Sequence, residues 1–193
     1  MGAPGKQALR HRFREQRLQQ LPEAHAGLQA TALRELPRLL GPEQWLGIYW
    51  PLRGEADLRL LAEQPGTGSR LALPRVAHGR LSYRAWQPDR ALSPDDTGIP
   101  APPQGPELEP AQLGLILAPA LACDQQGIRL GYGGGWFDRL RGDPVWAGVP
   151  ALTVLPAGCV LDALPRDPWD VPFHGRLDEH GVHWLQPVSA RGC

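Results

Sequence analysis

Apolar positions in the first forty residues recur at helical spacing. Residues 6–20 are dense in helix-forming side chains, and Pro22 with Glu23 predicts a break followed by a fresh helix start. The second helix, over 23–40, carries Leu28, Ala32, Leu33, Leu36, Leu39 and Leu40 on one face and ends at the turn signal Gly41, Pro42. Beyond that point the spaced pattern gives way to short continuous apolar runs. WLGIYW over 45–50, residues 70–73, residues 81–86, LGLILA over 113–118, residues 147–154 and residues 183–185 read as strands, with helices over 57–63 and 135–141. Strands that are apolar on both sides need cover on both sides. The expected fold class is therefore α/β, a mostly parallel sheet flanked by helices on both faces in one layered domain over 1–193. Residues 88–110 are crowded with Pro, Gly and Asp and predict a loop of a length that is usually functional or disordered.

Composition narrows the function classes. The 193 residues fit one core, and 20 basic residues balance 20 acidic ones, so no nucleic-acid partner is expected. Gly and Pro number 23 and 22 without a Gly-X-Y period, which argues for a folded chain rich in loops. Cys123, Cys159 and Cys193 are too few and too scattered for a paired framework or a C-x-x-C metal site, and a reducing, cytoplasmic setting is expected. The longest apolar stretch, 113–122, is far short of a membrane span, so no membrane partner is expected. The first twenty residues are rich in arginine but contain Glu15 and no serine, which argues against a transit peptide. Lys6 is the only lysine, which makes its retention informative.

The most specific stretch is RLGYGGGWFDR, residues 129–139, beyond the 113–118 strand and ahead of a helix. Gly131, Gly133, Gly134 and Gly135 let the backbone approach a ligand, and their N–H groups with a helix N-terminus behind them suit phosphate. Arg129 would add a bidentate charge. A tightly turned loop without a ligand accounts for the same glycines. Neither a Walker lysine nor G-x-G-x-x-G is present, since residue 136 is tryptophan. Asp138, in the first turn of the helix, either holds Mg²⁺ beside a polyphosphate or matches the helix dipole. Asp170 is a second carboxylate for the same ion or a loop charge. Lys6, Arg10, Arg14 and Arg17 share one helix face, as a phosphate grip or a solvated stripe. Glu55 follows a strand end, where open α/β sheets place ligand contacts, and a surface charge is the alternative. The histidines form no H-E-x-x-H pair and the serines no G-x-S-x-G elbow.

The order of features is K-x-x-x-R on the first helix, a glutamate after the first strand, then P-A-L-A-x-D-x-x-G-x-R-L-G-Y-G-G-G-W-F-D-R. It resembles the 5-formyltetrahydrofolate cyclo-ligase family, also called methenyltetrahydrofolate synthetases. The resemblance runs from Lys6 to about Gly181, and residues 119–139 are its specific part. It implies a NagB/RpiA-like layered fold and conversion of 5-formyltetrahydrofolate, with or without a polyglutamate tail, to 5,10-methenyltetrahydrofolate, and a monomer is expected. ATP and Mg²⁺ are the implied cofactors, with ADP and phosphate released. The formyl oxygen attacks the γ-phosphate, and N10 then displaces phosphate from the iminium phosphate.

By the same resemblance Lys6, Arg10, Arg129, Gly131, Tyr132, Gly133, Gly134, Gly135, Trp136, Phe137 and Asp138 contact the nucleotide, and Asp138 and Asp170 the metal. Tyr49, Glu55, Trp86, Gly98, Ile99 and Pro100 fall where folate contacts are expected, and Glu55 and Arg129 where catalysis is. Trp136 and Phe137 replace two tyrosines common in the family, which keeps ring stacking and removes hydroxyls. Ala101 replaces a frequent glutamate, and His174 and Asp178 stand where Asp and Thr are common. Two rivals remain at this stage: a nucleotide- or folate-binding module with little turnover, and a phosphosugar isomerase or acyl-transfer relative of the same architecture that needs no ATP.

Overall fold

The computed structural model describes residues 5–185, so Cys193 lies outside the described residues. The N-terminal segment is one 30-residue helix, α1 (Lys6–Glu35), rather than two, with Pro22 inside it. Proline lacks the N–H that would bond the Leu18 carbonyl, which is why the sequence pattern predicts a stop. Burial on both sides of the proline carries the helix through. Leu9, Phe13 and Arg17 are buried before it, and Ala24, Leu28 and Ala32 after it.

The chain continues through β1 (Trp45–Gly47), β2 (Leu71–Ala77), β3 (Arg80–Trp86), β4 (Ser93–Pro94), β5 (Pro100–Ala101), β6 (Leu113–Pro119), β7 (Ala122–Asp124) and β8 (Arg129–Leu130). Then come α2 (Trp136–Gly142), α3 (Pro144–Ala147), β9 (Ala151–Val154), β10 (Val160–Leu161), β11 (Gly175–Asp178) and β12 (Gly181–Trp184). The main sheet has the order β12-β11-β9-β6-β1-β2-β3. Its five inner strands are mutually parallel and both edge strands are antiparallel, so the α/β expectation holds.

On one face Leu28 and Ala32 of α1 pack on Leu46, Leu115, Leu152 and Leu177. On the other, Phe137, Leu140 and Trp146 from α2 and α3 cover Ala72, Ile116 and Ala151. A third cluster joins Leu9 and Phe13 at the start of α1 to Leu130 of the small sheet β10-β7-β8 and to Leu121 and Ile128 beside it. This cluster sets the first turns of α1 beside the chain that leads into the glycine stretch.

Four sequence expectations shift. Residues 57–63 form a 3-10 helix (Arg59–Glu63) instead of an α-helix. The 45–50 strand is assigned only over β1, although Ile48 still donates to the Ala72 carbonyl at 2.9 Å. Residues 147–154 divide between the end of α3 and β9. The 88–110 loop contains the β4-β5 hairpin, pinned by Asp95, which accepts from the amides of Val76, Thr97 and Ile99. Among the described residues no helix is long and apolar enough to cross a membrane.

Candidate active site

The glycine stretch is aimed by the turn that precedes it. Buried Asp124 accepts from the amides of Gln126, Ile128 and Leu164, each at 2.9 Å. Gly127 completes the turn at φ +83°, and a Cβ there would meet the Phe173 carbonyl oxygen at 2.4 Å. The Asp and Gly of D-x-x-G-x-R are thus residues of architecture. Their product is the position of Arg129, whose side chain is only 7% exposed.

The Arg129 guanidinium lies over the rings of Phe137 and Phe173, at 5.0 and 5.6 Å from their centroids. It donates to the Pro119 carbonyl at 3.0 Å and stands 3.8 Å from Asp138. Its buried Nε has no protein partner. Burial pulls its pKa down while Asp138 and Glu55 work the other way, and an arginine so placed keeps its charge. A Cβ at Gly131 would collide with this guanidinium at 2.8 Å, and Gly133 and Gly135 take φ of +106° and +65°, where side chains are strained. Arg10 clasps the loop from α1, donating to the Gly131 carbonyl at 3.0 Å.

These groups line a polar cleft of about 670 Å³, closed on its far side by Pro168, Trp169, Asp170 and Val171. Lys6 donates to Asp170 at 2.5 Å and to Asp167 at 2.6 Å. Burial disfavours its charge, and the two carboxylates outweigh that and hold its pKa above the usual lysine range. Asp138 and Asp170 face the same cleft. Two carboxylates beside a phosphate-sized loop suit Mg²⁺, which is commonly bound by one or two carboxylates plus phosphate oxygens and water. Among the described residues no cluster of three or more His, Cys, Asp or Glu side chains could hold a metal unaided.

A second, apolar cavity of about 220 Å³ is lined by Tyr49, Glu55, Ile99, Tyr132, Trp136 and Phe137, among others. It shares Arg129, Gly134 and Gly135 with the polar cleft. Glu55 is buried; its Oε2 accepts from the Leu52 amide at 2.8 Å and its Oε1 has no hydrogen-bond partner. Burial raises its pKa, partly offset by the Leu52 amide and Arg17, whose Nη1 is 4.0 Å away. Tyr132 accepts a hydrogen bond from Arg17, and burial with nearby Glu55 pushes its phenol up to about 12.

Most residues singled out in the sequence therefore fall around two adjoining cavities. Of the six residues expected to contact folate, three do not line the apolar one. Trp86 packs edge-on against Trp50, at 6.5 Å between centroids, and with Pro100 lines a separate groove. Gly98 serves the Asp95 turn at φ +81°. The basic stripe is divided: Arg10 lines the polar cleft, Lys6 does not line it but is bonded to its wall through Asp170, Arg14 is exposed with its guanidinium 5.8 Å from the Tyr132 ring, and Arg17 is buried. Pattern reasoning missed Arg17 as a buried partner of Tyr132 and Glu55, and it missed Trp169. The i+11 spacing of Arg17 from Lys6 was the available signal for the first, and nothing local marked the second.

The sequence profile of the 5-formyltetrahydrofolate cyclo-ligase family matches residues 3–175. The 5-formyltetrahydrofolate cyclo-ligase of Mycolicibacterium smegmatis is 29% identical over 84% of this chain and 88% of its own length. That of Escherichia coli is 31% identical over 66% of this chain and 74% of its own. Among solved structures, the 5,10-methenyltetrahydrofolate synthetase of Aquifex aeolicus superposes with a TM-score of 0.72 at 26% identity, covering 97% of this chain and 95% of that one. The Mycoplasma pneumoniae 5,10-methenyltetrahydrofolate synthetase, at 18% identity and a TM-score of 0.67, shares the fold over 91% of this chain and 99% of its own. This chain belongs to the 5-formyltetrahydrofolate cyclo-ligase family.

Proposed function

We propose that the two adjoining cavities carry out the family reaction, ATP-dependent conversion of 5-formyltetrahydrofolate to 5,10-methenyltetrahydrofolate with release of ADP and phosphate. The observation that carries this reading is the sharing of Arg129, Gly134 and Gly135 by a polar cleft and an apolar cavity. A phosphoryl group bound in the first has its acceptor oxygen within reach of the second. An amide-like formyl oxygen is a poor leaving group until it is phosphorylated. Catalysis is then mostly positioning and charge neutralisation around the transferred group.

In this reading the triphosphate lies on Gly131, Gly133, Gly134 and Gly135, with Arg10, Arg129 and Lys6 supplying positive charge. Asp138 and Asp170 would hold Mg²⁺, which neutralises phosphate charge when bound. The pterin lies against Tyr49, Ile99, Tyr132, Trp136 and Phe137. Trp136 and Phe137 offer ring faces where hydroxyls are absent, so they hold the substrate by stacking. Glu55, whose Oε1 lies 4.0 Å from Arg17 Nη1 and makes no closer hydrogen bond, takes the proton that N10 loses as it closes the ring. Trp86, Gly98 and Pro100 act at a distance, by shaping the hairpin that carries Ile99. In this reading the enzyme is a cytoplasmic monomer.

The test is growth of the near-ultraviolet absorbance of methenyltetrahydrofolate from 5-formyltetrahydrofolate with Mg-ATP. Growth only in the complete mixture, lost in Asp138→Ala, is the expected result. A silent complete mixture with folate or ATP still bound would instead favour a binding module.

A further inference from the structure

We infer that the indole of Trp169 is the stacking platform for the nucleotide's base, and so the residue by which this cleft prefers a nucleoside triphosphate to bare polyphosphate. The inference rests on the reading of the polar cleft as the ATP site. At 67% exposure Trp169 is the most exposed of the large apolar side chains among the described residues. Leaving so large an apolar surface in water forgoes burial energy, which makes an exposed tryptophan at a cavity rim informative. Trp50 and Trp86 pack on each other, Trp146 on Tyr83, and Trp136 under Arg139. Trp169 has no such ring partner among the described residues.

Its backbone is nonetheless fixed. Asp170 donates its amide to the Asp167 carbonyl at 3.1 Å, Asp167 donates to the Asp170 carboxylate at 2.7 Å, and that carboxylate is tied to Lys6. The indole is thus displayed from a closed turn, and it lines the same 670 Å³ cleft as the glycine loop. That volume suits a small-molecule ligand.

The chemistry of the lining divides in two. Arg10, Arg129 and the glycine amides suit a polyanion, whereas Pro168, Trp169, Val171 and Gly142 offer apolar surface. No Ser, Thr, Asn or Gln side chain lines the cleft, so no side-chain amide or hydroxyl reads the hydrogen-bonding edge of a base. The indole face is then the lining group suited to the flat side of a base, and a purine covers more of an indole than a pyrimidine does.

The test compares calorimetric binding of Mg-ATP and of Mg-tripolyphosphate to the wild type, Trp169→Ala and Trp169→Phe. Loss of one base-aromatic stack is expected to weaken ATP about tenfold or more in Trp169→Ala. Tripolyphosphate should stay within about twofold by the same comparison, since it has no base to stack. Trp169→Phe should recover most of the loss, and in turnover the effect should fall on the KM for ATP. Unchanged ATP binding in Trp169→Ala would overturn the inference and leave the indole to a protein partner. Equal weakening of both ligands would overturn it too, by making Trp169 a support of the phosphate loop. A wild type that binds neither ligand would sink the ATP reading itself, which distinguishes the two failures.

Discussion

Nζ of Lys6 lies 2.5 Å from Oδ2 of Asp170, so the first turn of α1 is tied to the turn that displays Trp169 and carries a proposed metal ligand. Lys6 and Asp170 are 17% and 9% exposed, which makes this a largely desolvated pair. Removing one partner leaves the other charge uncompensated, so Lys6→Ala should cost about 1–3 kcal/mol of stability, below the loss for a fully buried pair. The KM for ATP should rise by about tenfold, as expected for one lost charge-assisted contact of about 1.4 kcal/mol. Urea denaturation and initial-rate kinetics measure the two effects. A variant as stable as the wild type would show that the pair contributes nothing to the fold.

Arg129 meets two demands that lysine cannot meet together: its planar guanidinium lies over the rings of Phe137 and Phe173 and also donates to the Pro119 carbonyl. An ammonium keeps the charge and loses the flat faces. Arg129→Lys should therefore fold and still bind ATP, while kcat falls by about 100-fold, the scale on which a misaligned charge at a transferring group is felt. Stopped-flow single turnovers would separate chemistry from product release. A kcat within a few fold of wild type would remove Arg129 from the reacting centre.

Asp124 predicts a different kind of failure. It satisfies three amides at 2.9 Å with both oxygens, in a fully folded environment remote from solvent. Asp124→Ala leaves the buried amides of Ile128 and Leu164 unpaired, while the exposed Gln126 amide can turn to water, so at about 1–3 kcal/mol for each buried unsatisfied group the loss should be about 2–6 kcal/mol. Thermal unfolding should fall markedly while the KM values of whatever folded enzyme remains stay near wild type. Selective loss of ATP binding without loss of stability would make Asp124 a ligand contact after all.

How much of this was legible in the sequence follows from the range over which each signal acts. Inner strands such as 113–118 were readable because burial on both faces leaves continuous apolar runs, whereas β11, whose GRLD sequence carries Arg176 and Asp178, gave no such run and went unread. The single helix α1 was not readable, because the contacts that override Pro22 come from a sheet assembled later in the chain. The glycine loop announced itself through backbone demands at Gly131, Gly133 and Gly135 that only glycine meets. Arg17 gave no such announcement, since an arginine on a helix reads as solvated until Ala120 and Tyr132 arrive more than a hundred residues later to receive its hydrogen bonds. Trp86, placed among the folate contacts by the family resemblance, packs edge-on against Trp50, a contact between distant strand regions that no local pattern shows.

Glu55 supplies the pH dependence. Its pKa is raised above the ordinary value of 4.5 by burial, against the weaker opposing pull of the Leu52 amide and Arg17. The folded state thus holds this proton more tightly than the unfolded chain, and ionisation costs the fold stability. That cost is absent below pH 4.5 and grows as pH rises through the raised folded value. Glu55→Gln cannot ionise, so its stability relative to wild type should increase from acid to neutral pH, read as urea midpoints. Under the proposed mechanism activity should run the opposite way, because the carboxylate form is the one that would accept the N10 proton. Wild-type kcat should climb with pH through that same window, and Glu55→Gln should lose both the climb and about 100-fold in kcat, the usual contribution of a positioned base. Stability curves that run parallel for the two proteins would mean that Glu55 is not strained by its burial, and an unchanged acid limb would assign the proton transfer to another group.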